Sequence, residues 1–489
     1  VRVAVVGAGL GGLAAACHLA GRGHDVVVLE RGACPGGVAG VLAEQGYRID
    51  TGPVVLTMAD LVADTFAAAG ADMGEHLTLQ RVDPMYRASF ADGSALSVRA
   101  DRSATRAEIE RFAGPQEAAA FDRFCRWLSE LYAAEFGPFI NRNFTSPLDL
   151  ARHPGALLRL VRLGALRRLA PRVASFFEDE RLQRVFSFQA LYAGLSPYEA
   201  LAVFSVITYM DTVEGVLFPA GGMHELARGL ARAATTAGAS VEYSSPVERI
   251  LRSADGTACG VRLDDGTTVR ADAVVCDVDV AATYRTLLGL PAPRRVARAR
   301  YAPSCVLWLA GVRGQLPTDA AHHNLHFGRA WREAFDAVLH HGEPMPDPSV
   351  LVTCATVTDP ALAPPGGATL YALEPVPNLR GRVDWTREAP RRRDALVGRL
   401  DAWGYPVKDV AVERFVDPTD WAAAGLEAGT PFSVAHRFFQ SGPFRTANVD
   451  ARVPRLALVG MGTVPGVGIP MVLISGRLAA ERVDEWGRG

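Results

Sequence analysis

An α/β fold organised on a parallel sheet is predicted by three features of the 489-residue chain. Residues 1–30, VRVAVVGAGLGGLAAACHLAGRGHDVVVLE, pass from a short apolar run through glycines into a helical pattern. Residues 456–483, LALVGMGTVPGVGIPMVLISGRLAAERV, repeat that order of strand, glycine turn and helix near the other end. Between them, residues 239–279 alternate short strands with polar turns, and Asp255-Gly256 and Asp265-Gly266 are hairpin signals. Two such ends mean either two nucleotide sites or one site assembled from both.

The N-terminal stretch carries the more specific signal. Residues 3–6 read as a parallel strand covered on both faces, followed directly by Gly7-x-Gly9-x-x-Gly12. The first glycine permits a tight turn, the second lets backbone N–H groups approach a pyrophosphate, and the third lets helix and strand pack closely. A second strand, DVVVLE, ends in Glu30, where a carboxylate accepts hydrogen bonds from a ribose 2′-hydroxyl and disfavours the 2′-phosphate of NADP. Then comes RGACPGGVAGVLAEQGYRIDTGP, with the glycine pair Gly36-Gly37 and a hairpin-like stretch leading to Asp50-Thr51-Gly52-Pro53. A nicotinamide-binding domain would instead run on into another crossover helix.

Length predicts two or three domains with room to bury a large ligand. A net charge of -2 offers no field for nucleic acid. Lys408 is the only lysine, so positive charge is carried by arginine. Seven scattered cysteines without a C-x-x-C pair fit reduced thiols in a cytosolic protein. The apolar run at residues 3–21 has too many glycines for a signal peptide or span, and residues 185–210 are interrupted by Pro197 and Glu199, which predicts a pair of buried helices.

The chain resembles the phytoene desaturases, FAD-dependent carotenoid desaturases of the flavin amine oxidase superfamily. The Gly7–Gly12 fingerprint, Gly36-Gly37, YRIDTGPVVLTM (47–58), GVLFPAGGMHELARGLA (215–231), AHHNLHFG (321–328), HRFFQSGPFRTAN (436–448) and GTVPGVGIPMVLISGRLAAER (462–482) carry the resemblance, in family order. It implies a Rossmann-like FAD-binding domain made of residues 1–80, 215–290 and 425–489. An inserted mixed α+β substrate domain is implied over 81–214 and 291–424, with residues 100–210 largely helical and forming a membrane-facing subdomain.

The resemblance also implies which residues hold FAD. The phosphates and ribose fall to Gly7, Gly9, Leu10, Gly11, Gly12, Glu30 and Arg31. Gly36, Gly37, Val38, Thr51, Gly52 and Pro53 follow, and Val247 stands where the adenine is backed, although a buried strand valine is expected there in any case. The flavin ring falls to Gly462, Thr463, Gly468, Ile469 and Pro470, where a helix start offers unpaired N–H groups to the negative end of a reduced flavin. Two departures stand out. Val38 replaces a usual arginine, and Val464 replaces a histidine or other polar residue common beside the flavin.

Six arginines and no acid between residues 152 and 172, interleaved with leucines, predict an amphipathic basic helix that lies in a bilayer interface or faces water. His322, His323 and His326 invite a metal, but strand alternation sets His322, Asn324 and His326 opposite His323, Leu325 and Phe327, so no metal site is expected. The implied activity is desaturation of a long apolar isoprenoid, most simply phytoene, by hydride transfer to flavin N5. Oxygen or a membrane quinone would be the electron acceptor. The proton acceptor is open among Asp211, Glu214 and His436. Expected partners are the apolar substrate and a membrane surface, with the protein cytoplasmic and peripherally attached. Two rivals share the fold. Amine oxidases typically carry a lysine near flavin N5, whereas GDP-dissociation inhibitors bind prenyl lipids without redox chemistry.

Overall fold

The computed structural model describes residues 1–144 and 146–487. The two ends of the chain read alike because they belong to one sheet. Its five parallel strands run in the order Leu456–Leu458, Ala273–Cys276, Arg2–Val6, Asp25–Leu29 and Ser240–Glu242. Val6 pairs with Cys276 on one side and Leu29 on the other, so chain direction through the sheet reverses about the first strand. Alternation divides the strands between two cores. Val3, Val5, Val26 and Val28 pack against helices, and Ala4, Val6, Val27 and Leu29 against a three-stranded antiparallel sheet. That second sheet is formed by Val247–Arg252, Ala258–Leu263 and Thr268–Arg270, turning at Gly256 and Gly266, which both take positive φ as the two Asp-Gly steps require.

On the helical face, Leu10–Gly21 and Ile469–Gly487 cross at Gly476. A Cβ there would stand 2.6 Å from both Ala14 Cβ and Ala15 N, distances that only glycine tolerates. The opening and closing segments of the chain are therefore joined by backbone contact between their helices.

The inserted stretches supply a seven-stranded mixed sheet, in the order Val410–Val416, Ser304–Arg313, Gly367–Val376, Val350–Thr353, His323–His326, Tyr86–Ser89 and Ala95–Val98. The hairpin Val41–Glu44 with Tyr47–Asp50 connects the two bodies. Tyr47 packs where a Cβ on Gly311 would stand 2.5 Å from its ring, and Asp50 accepts hydrogen bonds from the N–H groups of Met223 (3.0 Å) and His224 (3.3 Å) at the start of helix His224–Thr236.

Three local expectations are corrected. The basic segment is two short helices, Pro154–Arg162 and Leu169–Ala174, because Gly164 takes positive φ and the backbone of residues 165–169 pairs with residues 200–203. Residues 185–210 form short 3₁₀ and α-helical turns, Phe188–Ala193, Ala202–Phe204 and Ser205–Tyr209, broken where Gly194 takes positive φ against Ala302 and where Pro197 follows. His322 lies just outside strand His323–His326, so its ring meets that of His323 at 4.4 Å instead of alternating away from it.

Replacing Gly476 by valine forces the crossing helices apart and is expected to cost about 1–3 kcal/mol of stability, measured as a lower Tm or urea midpoint. An unchanged midpoint would contradict backbone contact at this crossing.

Candidate active site

A cavity of about 1340 Å³ opens at the carboxyl ends of the parallel strands, where the order of strands reverses. Ligand pockets usually hold roughly 300–1,000 Å³. This one is larger, and its lining changes in chemistry from one part to another.

The first part is a cradle of backbone. Gly7, Gly9, Leu10 and Gly11 line it, and the first N–H groups of helix Leu10–Gly21 have no partner within the helix. Glu30 sets the shape of this loop. Its Oε2 accepts the Ala8 N–H at 2.7 Å and its Oε1 accepts the Gly32 N–H at 2.7 Å, while its side chain lines the cavity. Asp277, at the end of the neighbouring strand, accepts the Gly12 N–H at 2.8 Å. A Cβ on Gly9 would stand 2.4 Å from its Oδ2, and one on Gly11 2.8 Å from its Oδ1. Burial, with a smaller contribution from the charge of Glu30, pushes the Asp277 carboxyl up to about 7. Sequence reading missed Asp277. Its signal was an acid ending an apolar strand, AVVCD, at the level where Glu30 ends the second strand.

The opposite wall of this part is the C-terminal turn. Gly462, Val464, Pro465, Gly468, Ile469 and Pro470 line it, with the helix Ile469–Gly487 starting there. Gly466 has φ +148°, and a Cβ on it would fall 2.1 Å from His436 Cε1. His436 Nε2 accepts the Val467 N–H at 3.4 Å, and burial together with the nearby Arg445 charge keeps the imidazole neutral. Arg445 is itself buried and donates to the carbonyl oxygens of Thr463 (2.9 Å), Val434 (3.1 Å), Gln440 (3.2 Å) and Met461 (2.5 Å). One guanidinium thus fixes both chains of the turn. This role was also missed, although Arg445 sits in a segment the resemblance singled out.

Arg31, Gly36, Gly37, Val38, Thr51, Gly52, Pro53 and Val247 also line the cavity. Gly12 and Thr463 stand behind its wall. A Cβ on Gly12 would meet Gly7 O at 2.1 Å, and the Thr463 hydroxyl is spent on Thr446 O at 2.8 Å. Both departures, Val38 and Val464, face the cavity and make it less polar there.

The second part is walled by apolar side chains, among them Phe139, Ile140, Leu150, Leu160, Phe188 and Leu325. Leu157, Leu166 and Phe438 line the cavity and are also exposed on the surface, which marks the opening. Leu148, Leu158, Val161 and Phe439 add further exposed apolar surface in the same segments, and Phe438, Phe439 and Phe444 pack ring against ring. Asp211 lines the cavity wall, whereas Glu214 is bound to the Tyr209 hydroxyl at 2.6 Å and lies outside it. Each of the three histidines considered for a metal has its own partner: His322 with Thr358 Oγ1, His323 with Thr353 Oγ1, and His326 with Tyr405 OH while stacked on Trp403. Among the described residues no helix is long and apolar enough to cross a membrane.

The chain belongs to the flavin containing amine oxidoreductase family, which it matches over residues 10–484. Within that class it is 50% identical over 486 residues to a phytoene dehydrogenase of Streptomyces griseus, covering 98% of this chain and 94% of that one. It is 38% identical over 494 residues to a zeta-carotene-forming phytoene desaturase of Myxococcus xanthus, covering 99% and 94%. An oxidoreductase from Methanosarcina mazei shares the fold at TM-score 0.66 with 17% identity, covering 98% of this chain and all of that one. The protein is an FAD-dependent oxidoreductase. The cradle fits such a cofactor: glycines that admit no Cβ, unpaired helix N–H groups and a buried acid converge on one cavity.

Replacing Gly466 by alanine drives a methyl group into His436 and is expected to lower the FAD-to-protein ratio of purified protein at least severalfold, read from the visible absorbance after denaturation. Full flavin content would show that the turn does not shape the cofactor site.

Proposed function

We propose that this protein desaturates phytoene, or a closely related polyene, to more conjugated carotenoids. The observation that carries the reading is the continuity of the glycine cradle with an apolar chamber opening through exposed leucines and phenylalanines; the names of the two curated relatives support it. A hydrocarbon of about forty carbons gains roughly 0.8 kcal/mol per buried CH₂, so it passes from lipid to protein without free existence in water.

When bound, FAD supplies an oxidant that accepts a hydride. Glu30, Arg31, the loop 7–11 and Gly36-Gly37 would hold its ribose and phosphates, Val247 its adenine, and residues 462–470 its ring end. Arg445 and His436 keep that turn rigid, and the apolar walls exclude water and align the substrate. We assign residues 1–80, 215–290 and 425–489 to the cofactor and residues 81–214 and 291–424 to the substrate. The electron acceptor would be oxygen or a membrane quinone.

The opening is proposed to rest on a membrane surface. Leu148, Leu157, Leu158, Val161, Leu166, Phe438 and Phe439 would enter the acyl region, and the arginines between 152 and 172 would reach lipid phosphates. Amine oxidation fits the cavity poorly, since the only lysine, Lys408, is exposed and paired with Asp401.

Anaerobic incubation with phytoene in liposomes is expected to bleach the flavin and yield products with longer conjugation. An inert flavin with phytoene alongside turnover of an amine would overturn the reading. Changing Phe438 and Phe439 together to serine should reduce co-sedimentation with liposomes at least threefold without lowering FAD content; unchanged co-sedimentation would remove these residues from the membrane contact.

A further inference from the structure

Beside the main cavity lies a small recess with largely apolar walls, whose lining nonetheless includes the polar side chains of Asp211, Tyr86 and His323. Asp211 sits in the π-helical turn Met210–Glu214, an uncommon conformation frequent at functional sites. Its Oδ2 accepts from Gln189 Nε2 at 3.1 Å and its Oδ1 from Thr212 Oγ1 at 2.7 Å. Next to it a chamber of about 20 Å³ shares Asp211, Phe188 and Tyr192 with the main cavity and is bounded also by Tyr86 and His323. One water molecule needs roughly 10–15 Å³ and two to four polar partners.

Those partners are present. His323 uses Nδ1 on Thr353 Oγ1 at 2.9 Å, and its buried Nε2 has no hydrogen-bond partner among the described residues. The Tyr86 hydroxyl lies 3.5 Å from Thr212 Oγ1, a long contact, with the Gln189 side chain also beside it. Buried polar groups left unpaired are costly, and a shared water satisfies them.

We infer that Asp211 is the base that takes the substrate proton, and that a water held in this chamber by Tyr86 and His323 keeps its carboxylate ionised. The inference rests on the desaturase reading above. With FAD bound, the flavin would accept a hydride, the hydrogen of one substrate C–H bond with its electron pair. The pair of the adjacent C–H bond becomes the new π bond, and its proton passes to Asp211, which releases it to water once product has left. Asp211 touches substrate and is catalytic; Tyr86 and His323 are positioning residues.

Burial pushes the Asp211 carboxyl up to about 7, offset in part by its hydrogen bonds from Thr212 and Gln189. Facing it are Tyr86 from one strand, Tyr192 from the turn Phe188–Ala193 and His323 from another strand, none of them charged, while Glu214 of its own turn is bound to Tyr209. A base works only when ionised. The water lowers the midpoint further, so the rate falls as pH drops through a midpoint at or below about 7 and levels off above it.

The test uses the FAD-loaded full chain with phytoene in phosphatidylcholine liposomes, followed anaerobically by stopped-flow bleaching. Wild type should lose rate about tenfold per pH unit below the midpoint, and Asp211→Asn should slow bleaching at least about 100-fold with FAD content intact, while Asp211→Glu restores part of it. Independently of turnover, infrared titration of wild type minus Asp211→Asn should show a carboxyl band vanishing at or below about pH 7. Tyr86→Phe and His323→Gln should each raise that midpoint by about one unit. Wild-type bleaching rates in Asp211→Asn, or a midpoint unmoved in both chamber variants, would overturn the inference. A wild type that never bleaches with phytoene would instead sink the substrate reading, and the infrared titration would still decide whether the chamber controls Asp211.

Discussion

The close crossing of the first and last helices at Gly476 is the contact on which the rest of the architecture depends. Because nothing larger than the Ala14 methyl stands between the two backbones there, strand Leu456–Leu458 reaches the same sheet as strand Arg2–Val6, with Ala273–Cys276 between them. The turns that follow the first and last of these strands then open on a common cavity. A bulkier crossing would push the C-terminal turn away from the N-terminal glycines, and the cradle would lose one wall.

From that constraint the remainder of the site follows by close approach. Gly9 and Gly11 exist because Asp277 stands against them, and Gly466 because His436 does. The buried acids have distinct tasks. Glu30 accepts backbone N–H groups with both oxygens and Asp277 with one, shaping the loop, whereas Asp211 lines the cavity and accepts from the side chains of Gln189 and Thr212. The hairpin Tyr47–Asp50 ties these parts to the mixed sheet, since one of its residues packs on Gly311 and another caps the helix that begins at His224.

Much of this was legible in the sequence because parallel strands buried on both faces and glycines at fixed spacing leave a strong local pattern. The hairpins at Asp255-Gly256 and Asp265-Gly266 were legible for the same reason. The helical insert was not. Residues 152–172 have the composition of one amphipathic helix, but the pairing of residues 165–169 with residues 200–203 is a long-range event that outweighs local preference. Asp277 and Arg445 were missed because their importance arises from neighbours distant in the chain. Neither stands in a motif whose spacing announces its role.

The arginine-rich, nearly lysine-free composition reads as a bias of coding, yet several arginines, such as Arg393 forked on Glu413, use a geometry that lysine lacks. Arg445 is the buried case. A planar fork reaching four carbonyl oxygens from a buried position cannot be imitated by an ammonium group with three donors at one point. A version of this chain recoded with lysine would lose the clasp that holds the C-terminal turn and, with it, the two arginines that meet the buried Glu374, so a bias of composition has become a requirement of shape at these positions.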